Sequence, residues 1–185
     1  MAASLRLAVF DLDDTVWEPE MYELNGPPKR IRHNIRGAKK GKSLIVTDQL
    51  NTQINVYDGA SYALSEINKL REIDNMDIQA AVASRTDEPE WAAQCMDWLT
   101  VDDGKSLTAC FDHVEIGFND KQWHFQRLKK KTGIEYESMV FFDNEMRNIR
   151  SVRQLGVKCV YTPNGMTKDA WHDALQMFEI YTELE

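Results

Sequence analysis

Two patterns of hydrophobic residues alternate along the chain. Short, mainly apolar runs, typical of buried strands, occupy residues 5–10, 78–83, 139–142 and 157–161, and a weaker run occupies residues 113–116. Between and after these runs, apolar residues recur every three or four positions, which predicts helices over about 63–73, 89–99 and 121–131, a helix ending at 155, and a helix from 167 to 178. Because fully apolar strands that alternate with helices are typical of α/β proteins, we predict an open parallel sheet covered by helices on both faces.

Residues 18–57 interrupt this alternation. Pro19, Gly26, Pro27 and Pro28 break the pattern, and two short apolar runs at 44–46 and 54–57 flank a polar turn, as the strands of a β-hairpin would. We therefore predict a single domain over residues 1–185 that carries a small cap-like hairpin insertion at about 18–57.

Composition narrows the function classes. The chain has 185 residues, of which 43% are hydrophobic, and its formal net charge is -8, as for an ordinary globular domain. Neither a membrane span nor a secretory signal is visible, so we expect a cytoplasmic, intracellular soluble protein with no membrane partner. The acidic balance argues against nucleic acid as a partner. The spacing of Cys95, Cys110 and Cys159 suggests neither a disulfide framework nor a zinc site.

The charge is unevenly distributed. Residues 25–47 contain no acid and seven basic residues: Lys29, Arg30, Arg32, Arg36, Lys39, Lys40 and Lys42. Such a run is either a solvated loop or an arm that attracts an anion. Because it lies within the predicted insertion, our hypothesis is an arm that draws phosphorylated substrate to an otherwise acidic protein.

Polar residues stand where three of the predicted strands end. Asp11 and Asp13 follow the first strand, Ser84 and Arg85 the second, and Asp143 and Asn144 the strand at 139–142, while Lys121 opens a helix. Ligands of open parallel sheets bind at this edge. Carboxylates gathered there repel one another, and a divalent cation would relieve the repulsion. Oxygen ligands without His or Cys favour Mg²⁺.

These motifs resemble those of the haloacid dehalogenase superfamily. Residues 10–17 (FDLDDTVW) are similar to its first motif, and residues 81–86, Lys121 and residues 139–166 follow in the family order. The resemblance implies a Rossmann-like phosphatase domain that is monomeric and lacks a large cap. It also implies a Mg²⁺-dependent phosphomonoesterase, with phosphotyrosine in proteins or phosphorylated sugar (fructosamine) adducts as substrates.

The same resemblance implies roles for individual residues. Asp11 would be the nucleophile that forms an aspartyl-phosphate. Asp13 would protonate the leaving oxygen and later deprotonate the attacking water. Ser84, Arg85 and Lys121 would bind the phosphoryl group and neutralise its charge.

The implied Mg²⁺ ligands are Asp11, the backbone carbonyl of Asp13, and a residue after the strand at 139–142. The family usually has two aspartates there, whereas this chain has Asp143 and Asn144. A related branch of small phosphatases also carries Asp-Asn. We predict Asn144 as the direct ligand and Asp143 as its neighbour acting through water, with the reverse assignment left open.

Other interpretations remain for several residues. A phospho-signalling receiver domain or an inactive phosphate-binding module would gather similar groups, although a receiver needs an aspartate where this chain has Ser84. Ser84 could instead cap the following helix, for which Asp87 is better placed. We expect Trp17 to pack beneath the insertion, with the substrate pocket as the alternative, and His124 to be structural.

Overall fold

The computed structural model describes residues 3–34, 42–72 and 75–180, with the side chains of 32–34 and 42–43 left out. The strands are β1 (Leu7–Phe10), β2 (Trp17–Glu18), β3 (Lys29–Asn34), β4 (Lys42–Thr47), β5 (Gln53–Val56), β6 (Gln79–Ser84), β7 (His113–Ile116), β8 (Met139–Asp143) and β9 (Lys158–Tyr161). The helices are α1 (Asp58–Glu72), α2 (Pro89–Trp98), α3 (Leu107–Cys110), α4 (Lys121–Thr132), α5 (Met146–Arg153) and α6 (Lys168–Gln176).

Five strands form a parallel sheet in the order β7-β6-β1-β8-β9. Alternate residues of each strand point to opposite faces, and both faces are buried. Ala8 and Phe10 of β1 belong to the hydrophobic cluster that α1, α2 and α6 cover, whereas Leu7 and Val9 belong to the cluster that α4 and α5 cover. The predicted α/β fold, with helices on both faces of a parallel sheet, is confirmed.

The insertion is larger than the predicted hairpin. Strands β4 and β5 pair antiparallel as expected, with Val46 opposite Ile54, but β2 and β3 extend them to a four-stranded sheet in the order β2-β5-β4-β3. The sequence of β3 (KRIRHN) hides a strand because charged residues, common on exposed edge strands, occupy most of its positions. Trp17 and Met21 join Val46 and Ile54 in the main core cluster, so this sheet is anchored to the rest of the fold.

Helix ends were predicted with mixed success. Thr167 caps α6 as expected, accepting a hydrogen bond from the Ala170 N–H. The cap assigned to Asp87 is wrong, because α2 has Glu88 at its N-cap position and Pro89 at its start. Short α3 was not predicted, since four residues are too few to show helical periodicity.

Most of the basic run lies outside the described residues or their side chains. Arg36, Lys39 and Lys40 fall in the undescribed segment, and the side chains of Arg32 and Lys42 are likewise not described. Lys29 donates a hydrogen bond to the backbone carbonyl of Gln49 at 3.0 Å. The anion-attracting arm therefore stays a prediction. None of the helices in the described ranges is long and apolar enough to cross a membrane.

A glycine allows α1 to approach the segment before α6. A Cβ atom built on Gly59 would lie 2.3 Å from the Met166 carbonyl oxygen and from the Thr167 Cα, both backbone atoms that cannot swing aside. We expect Gly59→Ala to lower the free energy of unfolding by about 2 kcal/mol or more in urea titrations. Alanine normally stabilises a helix by about 1 kcal/mol relative to glycine, so an increase in stability would contradict this contact. The control is Gly117→Ala, whose Cβ would meet no atom within 4 Å.

Candidate active site

Strand register brings the predicted site residues together. Phe10 of β1 lies opposite Val82 of β6 and Phe142 of β8, so the three strands end at nearly the same level. The backbone N–H of Asp11 donates to the Phe142 carbonyl at 3.0 Å, which carries the pairing one residue further. Side chains that follow these strands therefore converge at one edge of the sheet.

Lys121 is the buried cation of this edge. Asp120 begins α4 as its N-cap by accepting from the Trp123 N–H, and this places Lys121 in the first turn. The Lys121 Nζ lies 2.6 Å from Asp11 Oδ1, 2.5 Å from the Ala83 carbonyl oxygen and 3.2 Å from Asp143 Oδ2. The ammonium thus joins β1, β6 and β8. Burial raises the pKa of Asp11, and Lys121 opposes that rise.

Asp143 lies beneath the site. Its carboxylate is fully buried and accepts hydrogen bonds from the Asn148 side-chain amide at 3.0 and 3.1 Å and from the Glu145 N–H at 2.7 Å. Burial and the charge of Asp11 raise the pKa of Asp143 to about 6, against the effect of Lys121.

Asn144, the next residue, is half-buried and faces the cavity described below. Its backbone N–H donates to the buried Thr15 hydroxyl at 3.1 Å. This bond ties the segment after β8 to the loop after β1.

Asp13 sits in a tight loop. The N–H groups of Thr15, Val16 and Trp17 all point to the Leu12 carbonyl, at 2.7 to 3.2 Å, so the chain folds back on itself directly after the strand. The Trp17 side chain thereby returns to Asp13, and its Nε1 donates to Asp13 Oδ1 at 2.8 Å. Burial raises the pKa of Asp13 to about 6, while the hydrogen bond from Trp17 opposes the rise.

One cavity of about 200 Å³ unites these groups. Its lining includes six of the predicted residues: Asp11, Asp13, Ser84, Arg85, Lys121 and Asn144. Asp143 is not part of the lining. The other lining residues are Thr86, which belongs to the motif at 81–86, Asp87, which was expected to cap a helix, and Glu20, Tyr22, Glu145, Arg147 and Asn148, to which the sequence assigned no role. The last three lie within the motif at 139–166, a signal that could have found them, whereas Glu20 and Tyr22 enter from the insertion and carry no motif.

Ser84 and His124 differ in their access to the cavity. Ser84 is buried at the end of β6, and its hydroxyl accepts from the Thr86 N–H at 3.3 Å rather than capping α2. His124 is fully buried within α4, and burial together with the nearby charge of Lys121 lowers its pKa to about 4. A neutral imidazole that does not line the cavity agrees with the expected structural role.

The donor set at the cavity fits a small hard cation. The carboxylates of Asp11 and Asp13 line the cavity together with the ammonium of Lys121, which also contacts the buried Asp143, and the amide of Asn144 adds a neutral oxygen. Neither His nor Cys lines the cavity. Within the described residues, no three His, Cys, Asp or Glu side chains are grouped as a metal cage. Mg²⁺ needs no such cage, since it binds through one or two carboxylates and keeps several waters.

Comparison with known proteins identifies the family. The family model for acid phosphatases matches residues 4–180. The chain belongs to the acid phosphatase family. It is 34% identical over 178 residues to human magnesium-dependent phosphatase 1, covering 96% of this chain and 89% of the relative. It is 32% identical to a haloacid dehalogenase-like hydrolase superfamily protein of Schizosaccharomyces pombe, covering 82% of each.

The fold is shared more widely than the sequence. A haloacid dehalogenase-like hydrolase from Xanthomonas campestris superimposes with a TM-score of 0.61 at 12% identity, covering 96% of this chain and 97% of the other. This likeness concerns the fold alone, whereas the expected superfamily membership is confirmed by the family match and by the relatives that are 34% and 32% identical. As a member of the acid phosphatase family, the protein is a phosphatase that acts on phosphorylated substrates.

The raised pKa of Asp13 predicts a pH-dependent stability. Its ordinary value is 3.8 and its folded value is about 6, so the folded protein binds this proton more tightly than the unfolded chain does. Ionisation of Asp13 therefore lowers the free energy of unfolding as the pH rises from about 4 to about 6, and the cost persists above that range. In chelator near about pH 7.5, Asp13→Asn should unfold at a higher temperature than wild type. Its free energy of unfolding should be greater by up to about 3 kcal/mol.

Thermal melts at a series of pH values measure this difference. The two proteins should converge below about pH 4, where the carboxyl is protonated in both states. The exposed Asp102 supplies the control, and Asp102→Asn should follow wild type throughout. An Asp13→Asn advantage that grows toward low pH would contradict the assigned burial effect.

Proposed function

We propose that this protein is a Mg²⁺-dependent phosphomonoesterase that transfers the phosphoryl group first to Asp11 and then to water. The observation that carries the proposal is the Asp11 carboxylate, held at 2.6 Å by the buried Lys121 in the cavity that Asp13 also lines. A nucleophile, an acid and a fixed cation in one cavity are what phosphoryl transfer requires.

The cofactor is Mg²⁺. The human relative is named a magnesium-dependent phosphatase, and the oxygen-only donors of the cavity suit that cation. Asp11, the backbone carbonyl of Asp13 and Asn144 would hold it. When bound, it supplies positive charge that offsets the negative charge of the carboxylates and of the phosphoryl oxygens. Support for Asn144 over Asp143 comes from Asp143's carboxylate, which is already bonded to Asn148, the Glu145 N–H and Lys121.

Each of the site's side chains has its own role in the proposed reaction. An Asp11 carboxylate oxygen attacks phosphorus as the bond from phosphorus to the leaving oxygen breaks, which gives an aspartyl-phosphate. Asp13 donates a proton to that leaving oxygen, and then takes a proton from the water that attacks the aspartyl-phosphate. Ser84 and the exposed Arg85 hold the phosphoryl oxygens, while Lys121 neutralises their charge.

The environment of Asp13 suits the acid role. Because burial raises its pKa to about 6, a substantial fraction stays protonated in mildly acidic solution. An ordinary carboxyl with a pKa of 3.8 would be almost fully ionised there. The same group, once ionised, is a stronger base toward water than an unperturbed aspartate.

The entrance to the cavity favours bulky substrates. The insertion contributes Glu20 and the exposed Tyr22, and Arg147 lies on the side of α5. A four-stranded sheet of this size does not enclose a small metabolite as a large cap domain would. We therefore favour phosphotyrosine in proteins or a phosphorylated sugar adduct carried on protein, in the cytoplasm and with a monomeric enzyme. A receiver-like or inactive module is disfavoured, because β6 ends in Ser84 rather than an aspartate.

Substitution of the nucleophile tests the proposal directly. Asp11→Asn should lower hydrolysis of 4-nitrophenyl phosphate by about 10⁴-fold or more, because an amide cannot form the intermediate. Rapid quenching of wild type with labelled substrate should trap phosphate on Asp11, as identified by peptide mass spectrometry. Label on another residue, or full activity of the variant, would overturn the assignment. A thermal melt of the variant checks that the fold is intact.

The metal ligand can be identified by substitution at two adjacent positions. Asn144→Ala should raise the Mg²⁺ concentration for half-maximal activity by about 10-fold or more, and Asn144→Asp should lower it because a carboxylate adds charge. Calorimetric titration of Mg²⁺ into the same variants should show the same order. If Asn144→Ala binds Mg²⁺ normally while Asp143→Asn does not, Asp143 is the ligand instead.

A further inference from the structure

Trp17 packs in the hydrophobic core and also hydrogen-bonds to a residue of the site. It is fully buried within the main core cluster, yet its indole N–H donates to Asp13 Oδ1 at 2.8 Å. A buried indole N–H usually finds a partner, and here the partner is the carboxyl that delivers the proton. The contact therefore links the hydrophobic core to the reacting group.

The backbone fixes this indole from two directions. The backbone N–H of Trp17 donates to the Leu12 carbonyl, which turns the chain back toward Asp13. The Asp14 N–H donates to the Trp17 carbonyl at 2.9 Å. As the first residue of β2, Trp17 also pairs with Val56 of β5. The position of the indole is thus set by the loop and by the inserted sheet together.

A fixed N–H selects between the two oxygens of Asp13. In a protonated carboxyl, the carbonyl-type oxygen is the better acceptor, so a donor held on Oδ1 favours the proton on Oδ2. The same bond stops the carboxyl from rotating about its last torsion, which is otherwise broad and roughly two-fold. The indole therefore restrains the Asp13 carboxyl, to which the Thr86 side chain and the Met21 backbone also hydrogen-bond.

We propose that Trp17 is the positioning residue of the general acid, fixing Asp13 through Oδ1 so that Oδ2 carries the proton delivered to the leaving oxygen. The inference rests on the proposed function, in which Asp13 is the acid. In this step an Asp11 carboxylate oxygen forms a bond to phosphorus while the bond from phosphorus to the leaving oxygen breaks. The electron pair of the leaving oxygen takes the Oδ2 proton, and Asp13 is left ionised with Oδ1 still hydrogen-bonded to the indole.

Dependence on the leaving group distinguishes positioning from packing. An alkyl phosphate needs its leaving oxygen protonated, whereas 2,4-dinitrophenyl phosphate releases a stable phenolate without help. For Trp17→Phe, we expect kcat/KM to fall roughly 10- to 100-fold with an alkyl phosphate and by less than about 3-fold with 2,4-dinitrophenyl phosphate. This ratio reports the first phosphoryl transfer, the step in which the leaving group departs.

A second buried tryptophan provides the matched control. Trp171 lies in the same core cluster, and within the described residues its indole N–H has no hydrogen-bond partner. Trp171→Phe removes the same atoms without removing a bond to Asp13, so its kcat/KM should show wild-type dependence on the leaving group. If Trp17→Phe loses the same factor with every substrate, the role of Trp17 is packing alone and the inference is overturned.

Two further variants separate a failure of the positioning role of Trp17 from a failure of the acid role of Asp13. Should Trp17→Phe not fold, benzothienylalanine incorporated at position 17 keeps the bicyclic shape and replaces the N–H by sulfur, and the same selective loss is expected. Asp13→Asn should show an even steeper dependence on the leaving group. If Asp13→Asn shows none, the acid role in the proposed function fails. If it does but the position 17 variants lose activity uniformly, only the positioning role fails.

Discussion

The buried ammonium of Lys121 is the interaction on which the rest of the site depends. A lysine this deeply buried needs compensating partners, and it obtains them from Asp11, Asp143 and the Ala83 carbonyl, which lie at the ends of three neighbouring strands. Those strands must therefore end level with one another and in one register. The ammonium that holds Asp11, the nucleophile of the proposed function, thus also constrains how the central sheet is assembled.

The same edge of the sheet carries more negative charge than one lysine can neutralise. Burial raises the pKa of Asp13 and of Asp143 to about 6, which means that ionising them at neutral pH lowers the stability of the folded protein. The excess negative charge favours the binding of Mg²⁺, and in the proposed function the raised pKa of Asp13 serves proton transfer. The fold tolerates the strain of the site because large hydrophobic clusters lie on both faces of the sheet.

Sequence reasoning recovered features whose physical cause is local. Apolar runs predicted the five parallel strands, and polar residues near strand ends and at the start of α4 predicted six of the thirteen residues that line the cavity. Features that depend on distant contacts were missed. Strand β3 was not predicted because its charged residues do not show the alternation of a buried strand. Tyr22 was not predicted to line the cavity because only the fold of the insertion brings it there. Trp17 was expected to pack, and it does, but a pattern of hydrophobicity carries no information on where an indole N–H points.

The order of strands in the inserted sheet has an evolutionary consequence. Strand β2 directly follows the loop after β1 that carries Asp13. Strand β3 lies at the far edge and is hydrogen-bonded to β4 alone among the strands described. Tolerance to mutation should therefore increase from β2 outward. Descendants of such an enzyme could remodel or lengthen the outer hairpin and so acquire new substrates, while the inner strand keeps the chemistry unaltered. The insertion thus joins an inner strand that is held next to the site to outer strands that can change with little effect on the site.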